Sequence, residues 1–319
     1  MFHQKYKTVI AGIAFTVIIL CSLVLLHYLV KNHEPYVNFS VRSPIGLKTQ
    51  VYSQNVSSLR FAVATMWSVE STFSMYQDLA ERIARNVGLR ESMILKSSYK
   101  ALRRALETHE IDVAFVCTGP YVFTLSSGSI RLLVEPEFVN GEHYHSVIIV
   151  PRGSAVKSVM DLRGMSIGFS DSESFTGYVI PYVMLKEQNI NPDNFFKNII
   201  FTGSHDRSIF AVDRGIVNAA AVHSIVWESA KRENSSLKDR LREIWSSETF
   251  GPPPVIVSNH LRYTFADSLK NAFLNLDKDP EGRAILASIG IKRFVPAREK
   301  DYLSALKLYK RYEQIREKN

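Results

Sequence analysis

The sequence predicts an α/β protein of two lobes joined at a hinge and preceded by one N-terminal transmembrane helix. Three observations carry this. Strand-like and helix-like runs alternate through the body, two proline-flanked strand-like stretches separate the alternating units, and one long stretch near the N-terminus is apolar and free of charge. The chain of 319 residues is 46% hydrophobic and 22% charged. That balance excludes disordered and collagen-like readings, and the length suits two lobes of about 100–130 residues.

From Thr8 to Val30 there is no Asp, Glu, Lys or Arg. At about 1.5 Å per residue this run extends about 35 Å, enough to cross a bilayer core. Lys5 and Lys7 precede it and favour a cytoplasmic N-terminus, which places the folded body outside the cytoplasm on a single-pass anchor. A cleaved signal peptide fits less well, because the run exceeds a usual apolar region and no A-x-A site follows. Residues 1–31 thus read as cytoplasmic tip and anchor, and 32–57, polar and aperiodic with Pro35 and Pro44, as a linker.

In the body, Leu59–Ala64 reads as a strand. Phe73, Tyr76, Ala80, Ile83 and Val87 then recur at three- and four-residue steps, a helical face stopped by Gly88. Ser92–Lys96 follows as a strand, Ser98–Glu107 as a helix and Ile111–Cys117 as a buried strand, an alternation that implies a parallel sheet. His143–Val150 is a strand closed by Pro151-Arg152-Gly153, a first crossing. A second unit comprises strand Met165–Phe169, helix Thr176–Gln188, strand Ile199–Phe201, helix Ser204–Arg214 and strand Ala219–Val222. Pro252-Pro253-Pro254 leads into Val255-Ile256-Val257, a second crossing. The expected limits are 58–150 with 258–297 for the first lobe, 151–257 for the second, and 298–319 for a C-terminal helix with Tyr302, Leu306, Tyr309 and Ile315 on one side. Such a hinged pair holds its ligand in the cleft, near the carboxyl ends of strands.

The net charge of +8 lies mostly at the ends, +2 in residues 1–35 and +5 in residues 292–319, which argues against a nucleic-acid-binding face. Cys21 and Cys117 lie in separate apolar runs, so neither a disulfide scaffold nor a zinc site is expected. His143 and His145 share a strand face but have no carboxylate set beside them, so no metal is expected there. GxSxG, HExxH, GxxxxGK(S/T) and GxGxxG are all absent, which leaves an enzyme or a nucleotide cofactor without support.

Ser170–Pro181 (SDSESFTGYVIP) carries the clearest binding signal. A strand ends, hydroxyl residues crowd a turn, and a helix begins near Gly177. The first turn of a helix exposes free N–H groups and positive potential, so Ser174, Thr176 and Gly177 are placed to hold an anion or, more plainly, to cap the helix. FTGSHDRS repeats the strand-to-helix arrangement and puts His205 at a helix start. Tyr99, at another helix start, and Tyr144, beside the first crossing, offer phenol donors.

DVAFVCTGPYV (112–122), YHSVIIVPRGS (144–154), DLRGMSIGF (161–169), ESFTGYVIP (173–181), FTGSHDRSIFAV (201–212) and FGPPPVIV (250–257) together resemble the phosphate/phosphite/phosphonate-binding proteins of ABC transporters, the PhnD-like family. The resemblance runs in order through residues 59–297 and implies a periplasmic-binding-protein type II fold that closes over an oxyanion. The family clamps the anion with a Ser-Thr-Ser turn, which here is Ser174-Phe175-Thr176, so the central hydroxyl is replaced while the backbone N–H remains. The family's histidine corresponds to His205, its two tyrosines to Tyr99 and Tyr144, and His223 stands where many relatives carry Asp. Members that bind amino-phosphonates place acidic residues where this chain has Ile225 and Pro253. The resemblance therefore implies a small oxyanion without an amino group: phosphite, phosphate or a short alkylphosphonate. It implies delivery to an ABC permease, with a ligand sensor coupled to a membrane kinase as the alternative, and no catalysis.

Overall fold

The computed structural model describes residues 58–317, apart from 65, 140 and 142. The expected membrane anchor, the linker and Cys21 lie outside the described residues. No helix among the described residues is long and apolar enough to cross a membrane.

Two mixed sheets organise the body. The first has six strands, β1 (Ser58–Val63), β2 (Arg90–Ile94), β3 (Val113–Phe115), β4 (Ile130–Phe138), β10 (Val255–Ser258) and β11 (Ile291–Pro296), in the order β11-β4-β10-β3-β1-β2. β1 runs parallel to β2 and β3, the pairing that the β-α-β-α-β alternation requires. β10 returns from the other half and pairs antiparallel with both β3 and β4. The second sheet, β5 (Ser146–Pro151), β6 (Ser166–Phe169), β7 (Asn198–Phe201), β8 (Ala219–His223) and β9 (Leu241–Ser246), has the order β7-β6-β8-β5-β9. Its centre is apolar on both faces: Ile148, Ile167, Ala219, Ala220 and Ala221 are all buried, as strands covered by helices must be.

Sheet membership moves the crossings one strand from the positions expected at 150/151 and 257/258. β5 already belongs to the second sheet and β10 already to the first, so the chain changes halves in 139–145 and 247–254. These two segments touch at a bridge, where Phe250 N donates to Tyr144 O at 2.8 Å. β4 and β9, which the sequence reading leaves unassigned, complete the two sheets beside the crossings. The strand expected at His143 begins only at Ser146.

The helices follow the apolar periodicity. α1 (Val69–Asn86) buries Tyr76, Leu79, Ala80 and Ile83, and Gly88 just past its end adopts φ +76°, a backbone that glycine takes without a Cβ clash. α2 (Tyr99–Glu107) is capped by Ser98, whose hydroxyl accepts from Ala101 N at 3.2 Å. α3 (Thr118–Thr124) follows β3 directly, with Pro120 in the first turn, where no backbone N–H is needed. In the second half, α4 (Ile180–Glu187) is preceded by a π-helical turn, Phe175–Val179, rather than starting as an α-helix at Thr176. α5 (His205–Asp213) follows β7, and α6 (Ser224–Glu233) follows β8. The C-terminal helix α7 (Leu303–Glu317) leans on both halves: the Tyr309 ring packs on Phe123 at 4.4 Å, and the Tyr312 ring on Tyr182 at 5.4 Å.

Candidate functional site

The site forms where the carboxyl ends of β6, β7 and β8 meet the amino ends of α1, α2 and α3. Ser174 takes an extended conformation before the π-helical turn, and its hydroxyl oxygen accepts from Gly177 N at 3.1 Å. Capping and ligand contact are therefore compatible, because an oxygen that accepts leaves its own proton to donate. Ser174 Oγ lies 3.4 Å from His205 Nε2. Thr176 is held by its backbone, whose carbonyl accepts from Ser146 Oγ at 2.6 Å, while its hydroxyl has no partner.

Two backbone contacts set the tautomers of the histidines. His223 N donates to His205 Nδ1 at 3.1 Å, and Ile225 N donates to His223 Nδ1 at 3.1 Å. An Nδ1 that accepts carries no proton, so each ring presents Nε2–H as a donor. Burial pushes the His205 pKa down to about 3, and burial with the neighbouring His205 and His145 pushes His223 well below the ordinary value. Both rings are neutral at neutral pH. The rings sit 5.5 Å apart, and Tyr144 packs edge-on to His223 at 4.6 Å.

Four buried polar atoms in this cluster have no hydrogen-bond partner among the described residues: Tyr144 Oη, Ser170 Oγ, Thr176 Oγ1 and His223 Nε2. Each such atom costs about 1–3 kcal/mol when left unsatisfied, so their clustering is a feature that needs an occupant. All four offer a proton, and so do Ser174 and His205. The result is a buried set of neutral donors of a kind suited to the oxygens of an anion. Gly177 is what allows it to converge. A Cβ there would meet Ser170 Oγ at 1.9 Å, Ser174 Oγ at 2.8 Å and His205 Cε1 at 2.9 Å.

Six of the expected residues are thus brought together: Tyr144, Ser174, Thr176, Gly177, His205 and His223. Tyr99 is adjacent but engaged, its hydroxyl 3.0 Å from Cys117 Sγ, and burial with the nearby Cys117 raises its pKa well above the ordinary value. Burial likewise pushes the Cys117 thiol up to about 12, so it stays protonated. The Phe175 ring turns toward the crossings, stacked on Tyr144 at 6.5 Å and edge-on to Phe250 at 5.0 Å. Ser170 and Thr118 are the residues that sequence reasoning missed. Ser170 lies in the hydroxyl-rich run but looks no different from its neighbours, and the Thr118 hydroxyl, which donates to Gly251 O at 2.9 Å, comes from the other half. His145 Nδ1 lies 2.9 Å from the His143 carbonyl, and no group of three metal-ligating residues forms among the described residues.

Groups of the two halves bond to one another beside these donors. His205 N donates to Met66 O at 3.0 Å, Ser68 N to Asp206 Oδ2 at 3.0 Å and Tyr99 N to Asp171 Oδ2 at 3.2 Å. Arg103 grips Glu173 with two bonds of 3.1 and 3.0 Å. Asp171 places its carboxylate at the start of α2, where the helix dipole favours negative charge, so that helix end is already taken.

Comparison with known proteins places the chain in a family. Residues 61–302 match the family described as "ABC transporter, phosphonate, periplasmic substrate-binding protein". The chain is 21% identical over 242 residues to the phosphonates-binding periplasmic protein of Escherichia coli K12, covering 73% of this chain and 70% of that protein. It is 26% identical over 208 residues, 62% of this chain, to the tetrathionate sensor histidine kinase TtrS of Salmonella typhimurium LT2, of which it spans 34%. The structure of PhnD1 from Prochlorococcus marinus MIT 9301 in complex with methylphosphonate superimposes with a TM-score of 0.73 at 20% identity, over 81% of this chain and 99% of that one. The family consists of transporter binding proteins rather than enzymes, and its two-lobed α/β fold is the fold seen here. The chain belongs to the phosphonate-binding periplasmic substrate-binding proteins of ABC transporters.

Proposed function

We propose that this protein captures a small phosphorus oxyanion (phosphonate, phosphite or phosphate) outside the cytoplasm and delivers it to an ABC permease. One observation carries the reading: four unpartnered buried donors converge with Ser174 and His205 between the two halves. The two halves open and close about the segments 139–145 and 247–254. In the closed form, neutral donors replace the water around the anion, and no cation is required in the nest. The ligand residues are Tyr144, Ser174, Thr176, Gly177, His205 and His223 with Ser170, while Tyr99 and Phe175 shape the wall. The lobes comprise 58–138 with 255–296, and 146–246, with α7 strapped across both. The uncharged run Thr8–Val30 tethers the protein to the membrane as a single span, with the body periplasmic.

A second reading is favoured by the likeness to part of a sensor kinase: the same closure reports ligand occupancy to a membrane kinase.

Thermal unfolding of the full-length chain against phosphate, phosphite, methylphosphonate and sulfate tests ligand capture. A ligand at 100 times its Kd stabilises the fold by about 2.7 kcal/mol, which for a body of this size raises Tm by roughly 5–10 °C. The expected outcome is a shift with a phosphorus oxyanion that is lost in Thr176→Ala. No shift with any of the anions contradicts the reading.

A further inference from the structure

Of the six donors, five sit at strand ends and helix starts of the second half, and Tyr144 alone lies on a crossing between the halves. Its place is therefore the one that movement of the halves would disturb. Binding sites need their groups held to about 0.5 Å. The Tyr144 hydroxyl stands at the far end of a long side chain, where a small rotation of the backbone is amplified.

The antiparallel ladder between β5 and β8 ends at the Ser146–His223 pair. Ser224, buried at the first position of α6, carries the connection on past the sheet. Its N–H, one of the amides that a helix leaves free in its first turn, donates to His145 O at 3.0 Å. Its hydroxyl donates to His143 O at 2.8 Å and accepts from His145 N at 3.1 Å. The bonds of one serine thus bracket Tyr144 on both sides, and the serine's only hydroxyl proton is spent on the crossing. His223 is set without that hydroxyl: its N–H goes to His205 Nδ1 and its Nδ1 accepts from Ile225 N.

Building on the oxyanion reading above, in which Tyr144 Oη is a ligand donor, we propose that Ser224 is the positioning residue for Tyr144. It ties residues 143–145 of the first crossing to the second half, so the Tyr144 hydroxyl stays with the other five donors whether the halves are together or apart. Ser224 gives no hydrogen bond to the anion and acts through Tyr144.

Isothermal titration of the full-length chain with methylphosphonate, in a double-mutant cycle of Ser224→Ala and Tyr144→Phe, separates positioning from general support. Each single variant is expected to bind about tenfold more weakly than native protein. The double variant is expected to match Tyr144→Phe to within about twofold, because a misplaced hydroxyl and a missing one are equivalent. Ser224→Thr, which keeps the hydroxyl, is expected to retain affinity to within about threefold. If Ser224→Ala does not fold, Ser224→Cys, which keeps the volume and bonds only weakly, takes its place in the cycle. Losses that multiply in the double variant, or native affinity in either single variant, overturn the positioning role and leave the oxyanion reading standing. Failure of the native chain to bind methylphosphonate, phosphite or phosphate overturns both.

Discussion

Thr176 concentrates the site's energetics in one side chain. Its carbonyl is satisfied by Ser146, and its hydroxyl is buried without a partner. Thr176→Val keeps the volume and removes the unsatisfied group, so the unliganded protein is expected to gain about 1 kcal/mol in stability while methylphosphonate affinity falls at least tenfold. Denaturant unfolding and calorimetry measure the two effects separately, and a destabilised variant with unchanged affinity contradicts the assignment. Tyr144, beside a strand, and His205, at a helix start, stand out in the sequence as donors, whereas His223 stands out only through the family resemblance. Ser170 was not legible. Nothing local separates it from Ser172 or Ser174, and only the approach of Gly177 brings its hydroxyl into the cluster.

The decisive element is the turn that joins β6 to α4. Its π-helical geometry widens the first turn and lets Ser174, Thr176 and Gly177 face the histidines together, a form that often marks functional sites. From the other half, α3 presses Gly119 against it: a Cβ there would meet Glu173 O at 2.6 Å and Phe175 N at 2.9 Å, both backbone atoms that cannot swing aside. Gly119→Ala is therefore expected to hold the halves apart. Small-angle scattering with saturating methylphosphonate would show a larger radius of gyration than native protein under the same conditions, and an unchanged radius would contradict the account. Periodicity placed the long helices and the apolar central strands. It did not place α3, whose Gly119-Pro120 pair reads as a turn until the proline is seen in the first helical turn, where no N–H is missed. Nor did it place β9, where only Leu241 is buried and the other five residues are part-exposed or exposed, or β4, which carries Pro136 and two glutamates.

Across the whole molecule, the two-lobed architecture was legible because alternation of strands and helices admits few topologies, whereas the points of crossing were not. β5 and β10 are apolar enough to fit either sheet, and only antiparallel pairing with β8 and β9, or with β3 and β4, decides their side. Groups from both halves meet beside the donors, and the two-bond Arg103–Glu173 pair is the strongest of these contacts in geometry. The six donors carry no formal charge, so the anion capture proposed above would rest on hydrogen bonds rather than on ion pairing. A crystal structure of the protein with methylphosphonate tests this most directly. The predicted result places the three phosphonate oxygens within hydrogen-bond distance of Thr176 Oγ1, Ser174 Oγ, Tyr144 Oη and the Nε2 atoms of His205 and His223. A ligand bound elsewhere, with those atoms still unpartnered, would contradict it.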